Sequence, residues 1–589
     1  MIKALSLCAV WVLTSVCAAQ TAPDGNAHPS PPDLTPISVP ITDPFGPPVK
    51  DRSAIITPEQ KSEFAVQVDL EPLRDLAVFH GGRVKVLETL ARETMHEIVG
   101  RRDYMDYLKT PKAGGGEDVK AFKYDPLFTL LDLTIDPVYY LDKPLINVGY
   151  LPMREALLTK AFPGDASRIE RWKKVGRVTP AMVDQHLGAI MREVMNEKDI
   201  EQFRTSAGRV DTAVRIFLDG KQNIVLVAPE RADLAWRHIS TLGNDSPARA
   251  AALALGEAWR ARDVARVNQA ARDLAAALPT LNAEIYPTGR RTLEMTYNKA
   301  NAFEWGYWAY FFSVVSLLLA FGTGRKGMAW LGGVLLLVAL GLHGFGFVLR
   351  CLIAERFAIQ NQFESMTGLS LFAVLVGAVI MIARRQWLFG AAAATVGFMV
   401  LLTATQMGIP GVNIQREAAI LNTSVLLKYH VTTVLCSYGL IALGFVVSLF
   451  YLGVHYAGRL NQGPAVATTG AHSVALAALG EDEAPRARTL GDLDKAQMIL
   501  LQLAFWTLGV GILLGAWWAD HSWGRWWAFD PKETWALITW IIYLMVIHLR
   551  FAVKNRGLTT AWMSVLGFIV MLWTYFGVNL LLPGLHAYA

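Results

Sequence analysis

Cysteine and net charge are both scarce in this chain, and each shortage excludes a class of protein. Four cysteines in 589 residues do not make a disulfide framework, because Cys8 and Cys17 fall near the N-terminus. Packing is the simpler role for the other two, Cys351 and Cys436. A net charge of +5 is too small to indicate a nucleic-acid partner. Charged residues make up 18% of the chain and hydrophobic residues 53%, a composition too apolar for an ordinary soluble enzyme.

The first fifty residues indicate export. Lys3, an apolar run over 4–16 and the small residues after that run predict a secretory signal peptide over residues 1–19. An uncleaved anchor is the alternative, and with either one the chain beyond residue 19 is exported. Residues 20–54 are rich in Pro, Asp and Thr and cannot bury a core, so they predict a disordered linker.

Residues 55–303 have a globular composition and predict an exported α+β soluble region. The predicted strands are Val66–Leu70, Leu76–Phe79 and Val214–Val227, the last with a turn at Asp219-Gly220. The predicted helices are Arg83–Val99, Pro180–Met195 and two Ala/Arg-rich runs between 232 and 278. This pattern matches no fold that we can name.

Apolar character is concentrated after residue 303 and predicts a membrane domain over residues 304–589. Eight segments reach the length of about 20 apolar residues that a helix needs to cross a bilayer. They are 304–322, 328–350, 366–383, 387–406, 429–455, 496–519, 534–553 and 561–582. The predicted fold class is therefore mainly α: a polytopic bundle of about eight spans, preceded by the exported α+β region.

Positive charge in the short loops predicts the orientation of the bundle. If residues 55–303 are outside, the loops after the first, third, fifth and seventh spans are inner. These loops hold Arg325, Lys326, Arg384, Arg385, Arg459, Arg486, Arg488, Lys495, Lys554 and Arg556. The outer loops hold fewer positive charges, so this rule and the signal peptide give the same orientation. Residues 456–495 form an inner loop, and its 461–495 part is predicted to be flexible.

A tryptophan-rich stretch over 517–535 lies on the predicted outer side, between the sixth and seventh spans. Its rings are interleaved with Arg525, Asp530, Lys532 and Glu533 in a loop that Gly and Pro interrupt. Scattered tryptophans at a membrane boundary are ordinary, because amphipathic rings prefer the headgroup level. Flat apolar faces beside fixed charges favour a large planar ligand that carries carboxylates.

This stretch resembles the "WWD" signature of the haem-handling proteins of cytochrome c maturation. Its continuation, Asp530-Pro-Lys-Glu-Thr-Trp-Ala-Leu-Ile-Thr-Trp540, is similar to the CcsA/ResC branch, the membrane subunit of the system II cytochrome c synthase. Phe529 stands where the family usually has Trp, which keeps a flat ring but loses the indole N–H donor. The resemblance implies a protein that handles haem b as a transported substrate. The chain has no Cys-x-x-Cys-His sequence, so it is not itself a c-type cytochrome.

The resemblance also implies which residues contact haem. The implied contacts are Trp518, Trp523, Arg525, Trp526, Trp527, Phe529, Lys532 and Trp535. Arg525 and Lys532 are candidates for pairing with the haem propionates. Asp530 is predicted at the catalytic site, where orienting the loop is its more natural role.

Two histidines flank this loop in sequence and fall at the same predicted depth. Leu427-Lys-Tyr-His-Val431 and Pro583-Gly-Leu-His-Ala-Tyr588 resemble the family's two outer-face histidine motifs. Neutral imidazole is a standard axial ligand of haem iron, so His430 and His586 are predicted as iron ligands at the catalytic site. The alternative is a pair of interfacial histidines that bind nothing.

Two further histidines, His343 and His548, lie inside the second and seventh spans. Ionisable residues within a membrane are rare and indicate function, and the resemblance implies a second haem held there. His343 falls in the outer half of its span, whereas His548 falls near the inner end. One haem bridging both would need a tilt or a shifted boundary, and a partner subunit is the alternative source of a ligand.

Two other segments resemble elements of long CcsA-like proteins, and a third resembles an outer loop of the family. His80-Gly-Gly-Arg-Val-Lys-Val-Leu-Glu-Thr-Leu-Ala-Arg92 is similar to a "GRxKPLDTxAR" element, and Leu293-Glu-Met-Thr-Tyr-Asn298 is similar to a pre-membrane element. The alternative for the first is a strand–turn–helix with a basic solvated face. Arg350 to Ser365 resembles the outer loop "RWYxxGxxPxxNxYES" but departs from it at several positions, with Cys351 for Trp.

These observations predict a cytochrome c haem lyase subunit in the bacterial cytoplasmic membrane. It receives haem and presents it at the outer face for thioether attachment to Cys-x-x-Cys-His motifs of apocytochrome c. A CcsB/ResB-like membrane subunit is the expected partner. The alternatives are a system I protein that loads a separate haem chaperone and a transporter or receptor that binds no haem.

Overall fold

The structure is a computed structural model that describes residues 42–51, 56–111, 117–194, 201–416, 425–460, 473–582 and 584. The predicted signal peptide, most of the predicted linker and His586 lie outside these residues. The described residues from Asp43 onward belong to one compact unit. Within it, a mixed N-terminal region precedes a bundle of long apolar helices.

The N-terminal region is mostly helical. Its helices are α1 (Pro58–Gln67), α2 (Glu71–Arg74), α3 (Leu87–Val99), α4 (Pro126–Ile135), α5 (Leu151–Ala161), α6 (Ala166–Val175), α7 (Pro180–Val194), α8 (Glu201–Asp219), α9 (Pro247–Ala261), α10 (Val264–Leu281) and α11 (Thr288–Ala300). Its described strands form antiparallel pairs. These are β1 (Ala77–His80) with β2 (Arg83–Val86), β3 (Tyr104–Pro111) with β4 (Glu117–Tyr124), and β5 (Ile146–Asn147) with β6 (Arg177–Val178).

Two of the three predicted strands are wrong. Val66 and Gln67 end helix α1, because Thr57 and Gln60 form a capping box that starts a helix at Pro58 and outweighs the alternation downstream of it. The predicted hairpin over Val214–Val227 begins inside helix α8. That helix buries apolar residues three and four positions apart, which is the helical period: Ala207, Val210, Val214 and Phe217.

Other predicted elements agree better with the structure. The predicted strand Leu76–Phe79 corresponds to β1, and the predicted helix Pro180–Met195 corresponds to α7. The segment Arg83–Val99, predicted as one helix, starts with the four residues of β2 and becomes helical only at Leu87. The β1–β2 hairpin turns at Gly81 and Gly82, whose φ angles of 60° and 77° favour glycine.

Part of the predicted linker packs against this region. Phe45 is 2% exposed, and a Cβ on Gly256 would lie 1.8 Å from its carbonyl oxygen. Arg249 and Arg260 donate hydrogen bonds to the carbonyls of Pro44 and Phe45, at 2.6 and 3.0 Å. The described fold therefore includes residues before the predicted boundary at residue 55, because a short polar segment can pack through one aromatic anchor.

Eight helices of the described chain are long and apolar enough to span a membrane, which confirms the predicted number. The candidate spans are Thr288–Thr323, Lys326–Ala354, Gln362–Arg384, Trp387–Gln406, Val425–Ala457, Arg486–Trp523, Pro531–Ala552 and Arg556–Gly577. The first span joins α11 to α12 (Ala302–Thr323) through Asn301, whose φ is 44°. The later helices are α13 (Lys326–Ala354), α14 (Gln362–Arg384), α15 (Trp387–Gln406), α16 (Val425–Leu460), α17 (Ser473–Trp523), α18 (Pro531–Ala552), α19 (Arg556–Leu572) and, after a π-helical turn over Trp573–Gly577, α20 (Val578–Leu581).

The predicted flexible loop over 461–495 is wrong for its second part, which belongs to helix α17. Polar contacts stabilise this extension. Arg486 donates to the carbonyl of His455 at 2.8 Å, and Asp494 pairs with Arg550 of α18 at 2.6 Å. These contacts satisfy charged groups that the sequence pattern alone assigns to solvent.

The N-terminal region contacts one end of the bundle directly. Arg83, in strand β2, donates from Nε to the carbonyl of Ile414 at 2.7 Å, and its guanidinium pairs with Glu294 of α11 at 2.9 and 3.1 Å. Asn298 of the same helix donates to Thr89 Oγ1 at 2.8 Å. The two segments that resemble elements of long CcsA-like proteins therefore meet each other at this end of the bundle.

Candidate functional site

A cavity of about 430 Å³ lies at the end of the bundle that the N-terminal region contacts. Its volume falls within the range of small-molecule sites. The walls come from α14, α16, α17, α18, α20 and the π-helical turn, together with the tryptophan-rich loop and the segments that precede α14 and follow α15. Residues important here are Gln362, Gln415, His430, Gly515, Trp518, Trp527, Lys532, Glu533 and Tyr575.

His430 is held in one tautomer on the wall of this cavity. Its Nδ1–H donates to the carbonyl of Gly511 at 2.8 Å, because a carbonyl oxygen can only accept. In the neutral ring this bond places the proton on Nδ1, and a bond of this kind orients metal-binding histidines in general. Gly515 leaves room for the ring, since a Cβ there would lie 2.5 Å from His430 Cε1.

Asp530 shapes the tryptophan-rich loop and starts α18. Its carboxylate accepts from the backbone N–H of Lys532 at 3.2 Å, while Glu533 Oε2 accepts from the N–H groups of Ala528 and Asp530 at 2.9 and 3.3 Å. This reciprocal capping box satisfies backbone donors at the helix start. Asp530 is 6% exposed, and these contacts join the end of the loop to the first turn of α18.

Three of the predicted contacts line the cavity: Trp518, Trp527 and Lys532. Trp518 is 2% exposed, and its Nε1–H has no hydrogen-bond partner among the described residues. Trp523 packs edge-on against Trp518, with ring centroids 4.9 Å apart, and so supports a lining ring from behind. The loop thus supplies aromatic faces and a lysine to one wall.

The other predicted contacts lie away from the cavity lining. Arg525 is exposed, and Trp526 and Phe529 are 56% and 79% exposed. Phe529 has a φ of 56°, in the left-handed region that a bulky residue rarely adopts. Trp535 is half-buried and packs edge-on against Trp573, with ring centroids 5.8 Å apart.

Another wall of the cavity includes residues from the segment Arg350 to Ser365, which departs from its family motif at several positions. Glu364, 0% exposed, accepts from Arg350 Nε at 3.1 Å and from Arg356 Nη1 and Nη2 at 2.7 and 3.0 Å. Arg350 also donates to the carbonyls of Gly411 and Val412 at 2.6 and 2.7 Å. This buried network fixes the segments before α14 and after α15 against each other.

Gln362 is the residue of this wall that sequence reasoning missed. It lines the cavity, is 8% exposed, and neither of its side-chain amide atoms has a hydrogen-bond partner among the described residues. A buried amide without partners is unusual in a folded protein. Gln362 lies inside the segment that resembles the family's outer loop, and this position could have indicated a site residue. The segment departs from the motif at several positions, so the sequence did not single out Gln362.

Comparison with known proteins identifies the family. Residues 359–586 match the model of the family described as "Cytochrome C assembly protein". The cytochrome c biogenesis protein CcsA of Parasynechococcus marenigrum (strain WH8102) is 32% identical over 295 residues, which cover 48% of this chain and 94% of that protein. The CcsA protein of Synechococcus sp. (strain WH7803) is 30% identical over 259 residues, 41% of this chain and 79% of that protein.

The chain belongs to the CcsA family. It is a multi-pass membrane protein of cytochrome c biogenesis. The protein NrfI of Wolinella succinogenes is 29% identical over 258 residues, 43% of this chain and 25% of that protein. The matched residues of the family model contain the cavity walls from α14 onward, so the described site lies in the part of the chain that defines the family.

His343 of this CcsA-family protein is enclosed within the bundle. It is 0% exposed, and its ring nitrogens contact the carbonyl of Thr367 at 3.0 Å and the hydroxyl of Tyr310 at 3.3 Å. Phe303 packs edge-on against the ring at 5.8 Å. Both nitrogens are therefore engaged with protein atoms, which leaves the imidazole in the state expected of a core histidine.

His548 occupies a different environment. It is exposed on the surface of α18, and its Nδ1–H donates to the carbonyl of Leu544 in the preceding turn at 2.9 Å. It lies four positions before the end of the helix at Ala552. Because His343 is enclosed and His548 faces outward from the bundle, the two have no common surroundings that would favour one shared haem.

Proposed function

We propose that this protein receives haem as a substrate and presents it for covalent attachment to apocytochrome c, as a haem lyase subunit. The observation that carries the proposal is His430, whose Nδ1–H is fixed by Gly511 on the wall of the 430 Å³ cavity. Trp518 and Trp527 offer apolar faces for the porphyrin, and Lys532 is the candidate partner of a propionate. Membership of the CcsA family supports haem handling in general.

His586 is proposed as the second axial ligand. It lies outside the described residues, but two observations support the proposal. The family match ends at residue 586. Gly584, two residues earlier, lies against the loop, since a Cβ on it would be 2.7 Å from Asp530 Oδ1. Two imidazoles would hold the iron until the histidine of an incoming Cys-x-x-Cys-His motif replaces one of them.

The covalent step that we propose is an addition. Each cysteine S–H of the apocytochrome adds across one haem vinyl group, so that a C–S bond forms, the vinyl π bond is consumed and the proton goes to the other vinyl carbon. No group leaves and no net oxidation occurs. The protein's part is to hold the two reactants in a fixed geometry, with Asp530 as a positioning residue.

We further propose that the cavity faces the exported side of the cytoplasmic membrane. The positive-inside pattern and the predicted signal peptide support this orientation. A CcsB/ResB-like membrane subunit is the proposed partner, and the exposed imidazole of His548 is where it would complete an inner haem site. His343, with both nitrogens engaged, is the weaker candidate for that site.

Haem content of the purified protein tests the outer site. Replacing His430 and His586 together by Ala removes both proposed ligands, and we expect the haem absorbance relative to protein to fall about tenfold or more. His521→Ala is the matched control, because His521 lies near the end of α17 that lines the cavity but is exposed, and among the described residues its ring bonds to the carbonyl of Trp517, one turn away, at 3.0 Å. An unchanged haem spectrum in the double variant would overturn the proposal.

Complementation separates the haem lyase proposal from the system I alternative. A strain without any cytochrome c assembly proteins should regain holocytochrome c when it expresses this protein with its partner subunit. A system I protein loads a separate chaperone, so it would restore holocytochrome c only when that chaperone is added. The receptor alternative predicts protein that purifies without haem in every case.

A further inference from the structure

A second cavity, of about 320 Å³, lies where the N-terminal region meets the 413–416 segment. We call it the junction cavity; the residues used below are His80, Lys85, Glu93, Asn223, Asn413 and Gln415. Gln415 also lines the haem cavity described above. The two cavities are therefore neighbours on either side of one short stretch of chain.

That stretch is held rigidly. On one side, Arg83 donates to the carbonyl of Ile414, and Glu294 fixes the same guanidinium. On the other side, Arg350 donates to the carbonyl of Gly411 at 2.6 Å. A Cβ on Gly82 would lie 3.2 Å from Arg416 Cδ, so the hairpin turn is in close contact with the segment as well. A ligand in the junction cavity would meet a fixed wall.

The lining of the junction cavity is polar and offers hydrogen bonds of both kinds. Lys85 Nζ donates to Glu93 Oε2 at 2.5 Å and contacts His80 Nδ1 at 3.3 Å. Burial, with help from the nearby charges of Lys85 and Arg83, lowers the pKa of His80 to about 4, so the ring is neutral at neutral pH. Asn223 and Asn413 each present a donor and an acceptor.

Glu93 gives the strongest indication that something binds there. It is 9% exposed, and its Oε1 has no hydrogen-bond partner among the described residues. A buried carboxylate oxygen without a donor is costly, and a ligand donor would satisfy it. The wall has no surplus of positive charge, because Glu93 and Glu97 balance Lys85 and Arg416, so it does not suit a phosphate.

A wall with donors and acceptors in balance suits a polypeptide main chain, which presents N–H and C=O groups along its length. We propose that the junction cavity binds an extended segment of apocytochrome c that flanks the Cys-x-x-Cys-His motif. Binding there holds the motif at the edge of the haem cavity. This inference rests on the proposed function, since it names where that function's second substrate docks.

Peptide binding to the full-length, haem-loaded protein in detergent tests the inference. The probe is a fluorescent peptide with the flanks of an apocytochrome motif, in which Ser replaces both cysteines and Ala replaces the histidine, so that it cannot react with or ligate haem. Asn223→Trp fills the cavity, and we expect it to weaken binding about tenfold. Gln222→Trp is the matched control, because Gln222 is the exposed neighbour and does not line the cavity, and it should bind the peptide as the parent does.

Haem absorbance and peptide affinity together distinguish failure of the proposed docking site from failure of the proposed function. Haem absorbance should be the same in the parent chain and in both variants. If Asn223→Trp binds the peptide as tightly as the parent while haem content is normal, the junction cavity is not the docking site and the inference is overturned. If the parent purifies without haem, the proposed function itself fails. If Asn223→Trp folds poorly, Asn413→Ala replaces it, because this change removes one lining amide with little change in shape. Peptide binding by Asn413→Ala that is as tight as the parent's would also overturn the inference.

A second peptide tests the proposed recognition of main-chain groups. Scrambling the flanking residues leaves the backbone groups in place, so we expect its affinity to stay within about threefold of the first peptide. Affinity that disappears on scrambling would contradict main-chain recognition, because it would mean that side chains carry the binding.

Discussion

At the scale of single residues, the cavity that we propose binds haem depends on the missing side chain of Gly515 as well as on the ring of His430. The ring of His430 occupies space that any side chain at position 515 would fill, and the Gly511 carbonyl is reachable because Gly515, one turn further along, has no Cβ. A glycine in a helix interior normally costs stability. Its use here is explained by the histidine that packs on it.

Gly515→Ala should therefore displace His430. The new Cβ would lie 2.5 Å from His430 Cε1, which is far inside contact distance, so the ring must move away from Gly511. We expect haem affinity to fall about tenfold, as measured by haem absorbance of purified protein. Gly453→Ala in α16 is the control, because its Cβ would meet open space; equal haem content in the two variants would contradict the packing explanation.

Substitution of Glu364 should lower the stability of the folded protein. It compensates Arg350 and Arg356 together, and all three are buried. Removing one member of a buried ion pair costs about 3–5 kcal/mol, so Glu364→Gln should lower the free energy of unfolding in detergent by about that amount. Glu355→Gln weakens a pair between an exposed carboxylate and Arg290, and exposed pairs contribute little, so this variant should unfold nearly as the parent does. Similar values for both variants would refute the role of the network.

At the scale of elements, the tryptophan-rich loop is shaped by the start of α18. The capping box of Asp530 and Glu533 turns the chain from the exposed rings of Trp526 and Phe529 into the membrane helix. Trp527 then reaches the cavity lining while Trp526 does not. The number of aromatic residues in the sequence therefore overstates how many can contact one ligand.

If Asp530 acts as a helix cap, its replacement by Asn and its replacement by Ala should give different results. Asn caps helices about as well as Asp, whereas Ala costs about 1 kcal/mol, so Asp530→Asn should retain haem and Asp530→Ala should lose roughly fivefold in affinity. Haem titration monitored by absorbance measures both. If Asp530→Asn loses as much haem affinity as Asp530→Ala, haem binding requires the negative charge of Asp530, and its role as a helix cap does not explain the effect.

At the scale of the whole molecule, the N-terminal region and the cavity share one end of the bundle. Contacts of Arg83 with Ile414 and Glu294 establish this directly. The side of the membrane on which this end lies is predicted from the positive-inside pattern and the signal peptide. Eight spans place the segment before the first span and the segment after the eighth on that same side.

Cysteine labelling tests that orientation. In a background with Cys351 and Cys436 replaced by Ala, Arg525→Cys should react with a membrane-impermeant maleimide in intact cells. Lys554→Cys should react only after the membrane is permeabilised, since it comes after the seventh span. Both positions are exposed, so access to the reagent is decided by the membrane, and the reverse pattern would invert the topology.

The sequence alone determined the membrane helices, because a span needs a long apolar run and little else. It also determined the family, since the tryptophan-rich loop keeps its order and spacing. The sequence-based prediction of a strand hairpin over Val214–Val227 was wrong, because the helical pattern of buried apolar residues begins upstream of this segment and continues into it. Tertiary structure alone decided which residues face the cavity. His343 and His430 are both predicted from the sequence as iron ligands, yet His343 is enclosed by Thr367 and Tyr310 and His430 lies on the cavity wall. That difference depends on which helices pack together, and packing between distant segments leaves no local pattern in the chain.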